Sequence, residues 1–343
     1  MALNLNYQPV SLVDTSTLTN EEWLQWRKKG IGGSDVAAAL NLSPYRTMRD
    51  LYYDKIGVEA VEPGEDKSIT FEIGHLLEDV VAKIFAKKTG LTVYRDQTMY
   101  QHPLFPFMLA DVDRFITLPN GEKAILECKT AHYDLRHKWA NGAVPRHYEL
   151  QVKHYLSVMN LNTAFIACLF SNSENDFVWV RIDRDLDEEE ETILQLERFW
   201  NDNVLARNEP PLIGDADQVL DTIRRYYGQA NPGLPTVKLS PKYANDIREI
   251  MNLKEAKKEA DAASRRLDKQ IKSLYSPIVA EMGAACGAEC YDGVERFEIS
   301  YLPESRTGIN KAGLDKLKAQ APDMYDALVE TSECRKFKVV TKT

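Results

Sequence analysis

The sequence predicts an α/β protein with a central mixed β-sheet flanked by helices, and three observations carry that expectation. Helix-spaced segments alternate with short strand-like runs between residues 20 and 207. TAFIACLF at 163–170 is apolar along its length, as a strand covered on both faces should be. Residues 109–131, LADVDRFITLPNGEKAILECKTA, read as two strands joined by the turn Pro119-Asn120-Gly121.

Each element has a local reason. Residues 20–57 are helical in pattern, with Thr19 placed to cap and Glu21 and Glu22 suited to the first turn. Within them GIGGSDVAAALNLSPY gives a Gly-rich turn and then an Ala-rich helix capped by Ser34. In 70–90, Ile73, Leu76, Leu77, Val80, Val81, Ile84 and Phe85 recur at helical spacing, and Gly90 ends the run. Residues 91–100 read as a strand, 146–160 as a helix, 177–182 as a strand and 186–207 as an acidic, solvated helix.

The composition shifts near residue 208. The expected organisation is a domain over 1–210, a Pro- and Gly-rich linker over 211–240, and a C-terminal region over 241–343. In that region apolar residues from Ile247 to Met282 recur at steps of three and four, the mark of a long amphipathic helix. A small β element over 295–301, a short helix over 311–329 and a last strand over 335–340 follow.

The bulk numbers exclude several classes. The chain has 343 residues, 44% hydrophobic and 28% charged, enough to build a core. Its five cysteines form no CxxC pair, which argues against a disulfide framework and a structural zinc site. The first residues show no basic-then-apolar leader, and no apolar run reaches the roughly 20 residues of a membrane span, so a cytoplasmic protein is expected. The net charge of −9 argues against a surface coated in basic patches but leaves room for a local basic groove.

The charges on the 109–131 hairpin carry the chemistry. Side chains alternate along a strand, so Glu127 and Lys129 share one face and Cys128 points to the other. Asp111 and Asp113 share a face if their segment is extended. Carboxylates gathered this closely repel unless a cation joins them, and Mg²⁺ accepts carboxylate oxygens. A neighbouring lysine can orient water or stabilise charge on a phosphoryl group. Asp, thirteen intervening residues, then Glu-x-Lys is the pattern of the PD-(D/E)xK nucleases, and alone it also fits a solvated edge hairpin. Glu78, on the 70–90 helix, is either another carboxylate for the metal or an ordinary exposed acid. Gln151 and Tyr155, four apart on one helix, either face the same cleft or are structural.

The segments WLQWRKKGIGGSDVAAALNLSPY, FEIGHLLEDVVAKIFAKKTG, HPLFPFMLADVDRF, ILECKTA and YELQVKHYL occur in an order that resembles the YqaJ-like viral recombinase family, which includes the lambda exonuclease. The resemblance covers roughly residues 20–200. It implies a PD-(D/E)xK nuclease core and a 5′→3′ exonuclease acting on double-stranded DNA ends to leave 3′ overhangs. It also implies dependence on Mg²⁺ (or Mn²⁺), a homo-oligomer such as a trimeric ring, and a single-strand annealing protein as partner. Matched by position, Asp113, Glu127 and Glu78 are its metal ligands, with the Cys128 carbonyl beside them. Lys129 and Gln151 complete the catalytic set, and Arg27 and Ser34 match residues associated with the 5′-phosphate.

This chain departs from the family where Asp111-Val112-Asp113-Arg114 replaces the common Ser-Pro-Asp-Gly, since a carboxylate at 111 would repel a terminal phosphate unless it points away. Arg136, His137, Lys138, Arg146, His147, Lys153 and His154 are either a DNA track or a solvated surface. Two other functions stay open: a structure-specific or nicking endonuclease, and a non-catalytic DNA-binding or scaffold protein working through the 245–283 helix.

Overall fold

The computed structural model describes residues 3–61, 68–228, 231, 233–303 and 308–329. The chain divides into two compact units, Met1–Gln229 and Ala230–Thr343. In the first, β1 (Val10–Asp14) is followed by α1 (Asn20–Arg27), α2 (Gly33–Ala39), α3 (Met48–Ile56) and α4 (Ser68–Thr89). Five strands follow: β2 (Thr92–Tyr94), β3 (Thr98–Gln101), β4 (Leu109–Asp111), β5 (Arg114–Thr117) and β6 (Lys123–Thr130). Then come α5 (Arg146–Met159), β7 (Thr163–Leu169), β8 (Phe177–Asp183), α6 (Leu186–Arg198) and α7 (Ala216–Tyr227).

The central sheet is mixed, in the order β2-β5-β6-β7-β8, with only the β6–β7 pair parallel. Thr19 caps α1 reciprocally with Glu22, and Gly90, at φ +72, closes α4. Gly121, at φ +86, makes the tight β5–β6 turn. Strand parity sorts β6 between two layers. Ala124, Leu126 and Cys128 pack with Val81, Ala82 and Phe85 of α4, while Ile125 joins the larger core that contains Leu150, Val152 and Leu156 of α5.

The structure departs from the sequence reading in five places. Residues 91–100 are not one strand but hold β2 and the start of β3, which lie in different sheets. The supposed 109–131 hairpin is broken at Val112-Asp113. β4 pairs with β3 in a separate three-stranded sheet, and only β5 and β6 form the hairpin. On α4, Val81 and Phe85 are fully buried, but Ile73, Leu76 and Val80 are exposed, because the helix meets the sheet only over its C-terminal half. Ser34 is not a cap: Gly32 holds that position, and Asp35 reaches back to the Gly32 N–H at 3.0 Å. Within 211–240, residues 216–227 form α7, where the buried Thr222 hydroxyl donates to Asp50 Oδ2 at 2.8 Å.

The second unit holds α8 (Ala244–Met282), the hairpin of β9 (Gly287–Tyr291) and β10 (Arg296–Ser300), α9 (Lys311–Gln320) and α10 (Pro322–Leu328). None of the 39 residues of α8 is buried. The strand expected over 335–340 lies outside the described residues. Among the described residues, no helix is long and apolar enough to cross a membrane.

His154 of α5 is buried and its Nε2–H donates to the Leu109 carbonyl at 2.9 Å, tying α5 to β4. Burial lowers its pKa to about 4, and His102 is lowered likewise to about 4. The unfolded chain takes up these protons near pH 6.5, whereas the folded chain resists until about pH 4. Their contribution is therefore complete above pH 6.5 and is lost as pH falls from there towards 4. A thermal melt should show Tm falling between pH 7 and 5; a flat profile would contradict the buried, neutral histidines.

Candidate active site

Two neighbouring clusters converge on α5. The first is acidic and is built at the break between β4 and β5. Asp113, just before β5, accepts the Cys128 backbone N–H at Oδ2 (2.8 Å), which pins the loop to β6. Glu127, on the α5-facing side of β6, is 1% exposed. Its Oε1 accepts from Lys129 Nζ at 2.7 Å and from Gln151 Nε2 at 2.6 Å, while Gln151 also donates to the Tyr155 hydroxyl at 3.3 Å. Asp113, Glu127, Lys129, Gln151 and Tyr155 are thus brought together.

Burial raises the carboxyls of Asp113 and Glu127. The neighbouring charges of Glu127 and Glu78 push Asp113 up further, while Lys129 holds Glu127 partly down. Burial alone would lower Lys129, but Glu127 and Asp113 outweigh it and hold its ammonium above the ordinary lysine value. The Lys129 Nζ also lies 5.1 Å from the Tyr148 ring centroid.

Glu78 approaches from α4. Its carboxylate accepts from His75 Nδ1 at 2.8 Å and lies 3.6 Å from Arg114 Nη1. Arg114 is nearly buried, and its Nη2 donates to Asp79 at 2.5 Å. Consecutive residues therefore serve different layers: Asp113 joins the α5 side and Arg114 grips α4. The sequence signal for Arg114 was its place in the Asp111–Arg114 departure, but only the pairing of Arg114 with Leu126 shows which face it takes.

Among the described residues, no three Asp, Glu, His or Cys side chains form a ready metal cluster. The donor set nonetheless fits a hard cation. Glu127 Oε2 is buried without a hydrogen-bond partner among the described residues, beside the half-buried carboxylate of Asp113. Asp113, Glu127 and the Cys128 carbonyl would hold such an ion, with Glu78 joining by leaving His75.

The second cluster is cationic. Arg27 Nη2 donates to the exposed Ser34 Oγ at 2.6 Å and to Asp35 Oδ1 at 3.2 Å. Its guanidinium lies 4.9 Å from the Trp23 ring centroid, and Trp23 Nε1 donates to Asp111 Oδ2 at 2.6 Å. Asp111 and Asp113 do not share one face; Trp23 holds the first and Cys128 N–H the second. Gly33 joins the two clusters. A Cβ there would come 2.6 Å from the Tyr155 ring and 2.9 Å from Gln151 Cγ, so only glycine lets α2 approach α5 this closely. Asp35, Arg46 and Lys55 complete the cationic cluster and were missed, because nothing local in the sequence joins three charges spread over twenty residues.

The proposed basic track is largely neutralised. Arg146 and Lys153 pair with Glu149 and Glu188, Arg136 pairs with Asp176, and His154 is buried.

Replacing Asp113 by Asn should stabilise the metal-free protein, since it removes a carboxylate that burial and the charges of Glu127 and Glu78 disfavour. Millimolar Mg²⁺ should raise the Tm of the wild type in a thermal-shift measurement and leave that of Asp113→Asn unmoved. Equal shifts in both proteins would remove Asp113 from the ligand set.

A model of the YqaJ-like viral recombinase domain matches residues 22–164. The uncharacterised protein YqaJ of Bacillus subtilis (strain 168) is 34% identical over 330 residues, covering 95% of this chain and 96% of that protein. An alkaline exonuclease (LHK-Exo) from Laribacter hongkongensis aligns with a TM-score of 0.46 at 17% identity, over 55% of this chain and 95% of its own. A phage-related exonuclease from Haemophilus somnus 129PT aligns with a TM-score of 0.37 at 13% identity, over 54% of this chain and 99% of its own. With one relative 34% identical across nearly the whole of both chains, this chain belongs to the YqaJ-like viral recombinase family.

Proposed function

We propose that the chain is a metal-dependent deoxyribonuclease that digests linear duplex DNA from its 5′ ends and leaves 3′ overhangs. The observation that carries this reading is the buried cluster of Asp113, Glu127, Lys129 and Gln151. Lys129 is held protonated, so it acts as a fixed positive charge rather than as a base. Placed beside Glu127, that charge offsets the negative charge developing on the phosphoryl oxygens and helps hold the attacking water. Gln151 fixes the Glu127 carboxylate, and Cys128 N–H fixes Asp113. Mg²⁺, or Mn²⁺ in its place, when held by Asp113, Glu127, Glu78 and the Cys128 carbonyl, supplies Lewis-acid activation of the phosphate and of water.

Arg27 and Ser34 receive the terminal 5′-phosphate. Ser34 Oγ accepts from Arg27 and is exposed, so its O–H remains to donate outward. Asp111, anchored by Trp23, is kept from swinging into that pocket. The overhangs are the substrate of a single-strand annealing protein, and the chain works as a homo-oligomer around its DNA.

Digestion of end-labelled linear duplexes should require Mg²⁺ or Mn²⁺, release nucleotides from 5′ ends and leave covalently closed circles intact. Nicking of closed circles would instead identify an endonuclease, and no release from linear DNA would identify a binding protein. Lys129→Ala should lower the rate by at least about 10²-fold in a variant that still folds; wild-type rates in that variant would remove the lysine from the mechanism.

A further inference from the structure

Arg114 follows Asp113 directly, and its buried side chain crosses to the α4 layer. Its guanidinium meets three acceptors there. Nη1 donates to the Asp113 backbone carbonyl and lies 3.6 Å from Glu78 Oε2. Nη2 donates to Asp79 Oδ1 at 2.5 Å. The two acids differ in setting: the Asp79 side chain is 66% exposed, that of Glu78 only 14%.

A guanidinium out of water must keep an acid beside it. Asp79 is the firm partner, and the Arg114 hydrogen bond holds its carboxyl below the usual carboxylate range. Glu78, at 3.6 Å, is the looser one. The charge of Glu78 also reaches the other layer, where it adds to burial and Glu127 in raising the Asp113 carboxyl. One carboxylate therefore stands between a fixed cation and the acids that would hold a mobile one. Arg114 and a metal ion draw on the same negative charge, and being alike in sign they repel each other. Asp79 lets the conflict resolve. When Glu78 turns to a metal, Asp79 still pairs the guanidinium, so no cation is left buried alone.

We propose that Arg114 is a positioning residue that competes with the metal for Glu78, so that it weakens Mg²⁺ binding at the Asp113–Glu127 cluster, while Asp79 limits the competition. The inference rests on the reading of Asp113, Glu127 and Glu78 as cation ligands and extends it to the pair that sets the affinity.

The test is calorimetric titration of Mg²⁺ into the full-length protein without DNA, in the wild type, Arg114→Gln, Arg114→Lys and Asp79→Asn. Arg114→Gln should lower the Kd by about threefold or more, the scale of a partly exposed ion pair. Arg114→Lys, which keeps the charge, should stay closer to the wild type. Asp79→Asn leaves the guanidinium to Glu78 and should raise the Kd. Much of that rise should vanish when Asp79→Asn is combined with Arg114→Gln, which separates the competition from the simple loss of a nearby negative charge. A merely structural Arg114 would lower the melting temperature in Arg114→Gln without tightening Mg²⁺. A wild type that binds no Mg²⁺ overturns the metal reading and the inference with it. A wild type that binds Mg²⁺, with no tightening in folded Arg114→Gln, overturns the inference alone. Asp79 is exposed, so its variant keeps the test open if Arg114→Gln does not fold: a Kd unchanged in Asp79→Asn then overturns the inference.

Discussion

The rest of the site follows from the burial of Asp113 and Glu127 next to each other. Two carboxylates out of water repel and lose hydration, so each needs a fixed partner. The fold supplies those partners from three directions: the Cys128 N–H along β6, Lys129 two residues on, and Gln151 from α5. Among the described residues, one oxygen of Glu127 is left buried without a hydrogen-bond partner. A hard cation would satisfy that atom.

That arrangement depends on how closely α2 lies on α5. The same helix face that presents Gln151 to Glu127 presents the Tyr155 ring to Gly33. The acidic and cationic clusters are therefore not two surface patches that happen to be near each other. They are opposite ends of one packed contact, and their separation is fixed by the absence of a single Cβ. This packing holds the two clusters at a defined separation.

Much of this was legible in the sequence. The helix 70–90, the strands 163–170 and 177–182 and the Glu127–Lys129 face are local patterns, and local periodicity specifies them. What escaped has a common cause. The break at Val112-Asp113 moved Asp111 into another sheet, and strand pairing between distant segments decides that. Asp35, Arg46 and Lys55 meet only because α2 and α3 fold onto each other. The exposure of Ile73, Leu76 and Val80 depends on how far α4 reaches beyond the sheet, which its own spacing cannot reveal. Arg146 and Lys153 looked like free basic residues until Glu188 of α6 came alongside.

The parity of β6 gives its distant turn an unexpected importance. Arg114 pairs with Leu126 and Thr117 with Lys123, so the two strands are locked in step by the loop over 118–122. Adding or deleting one residue there would slip the frame by half a pleat. Glu127 and Lys129 would then rotate into the oily layer under α4, and Cys128 would take their place. A loop with no catalytic side chain of its own therefore keeps time for the chemistry at the other end of the strand.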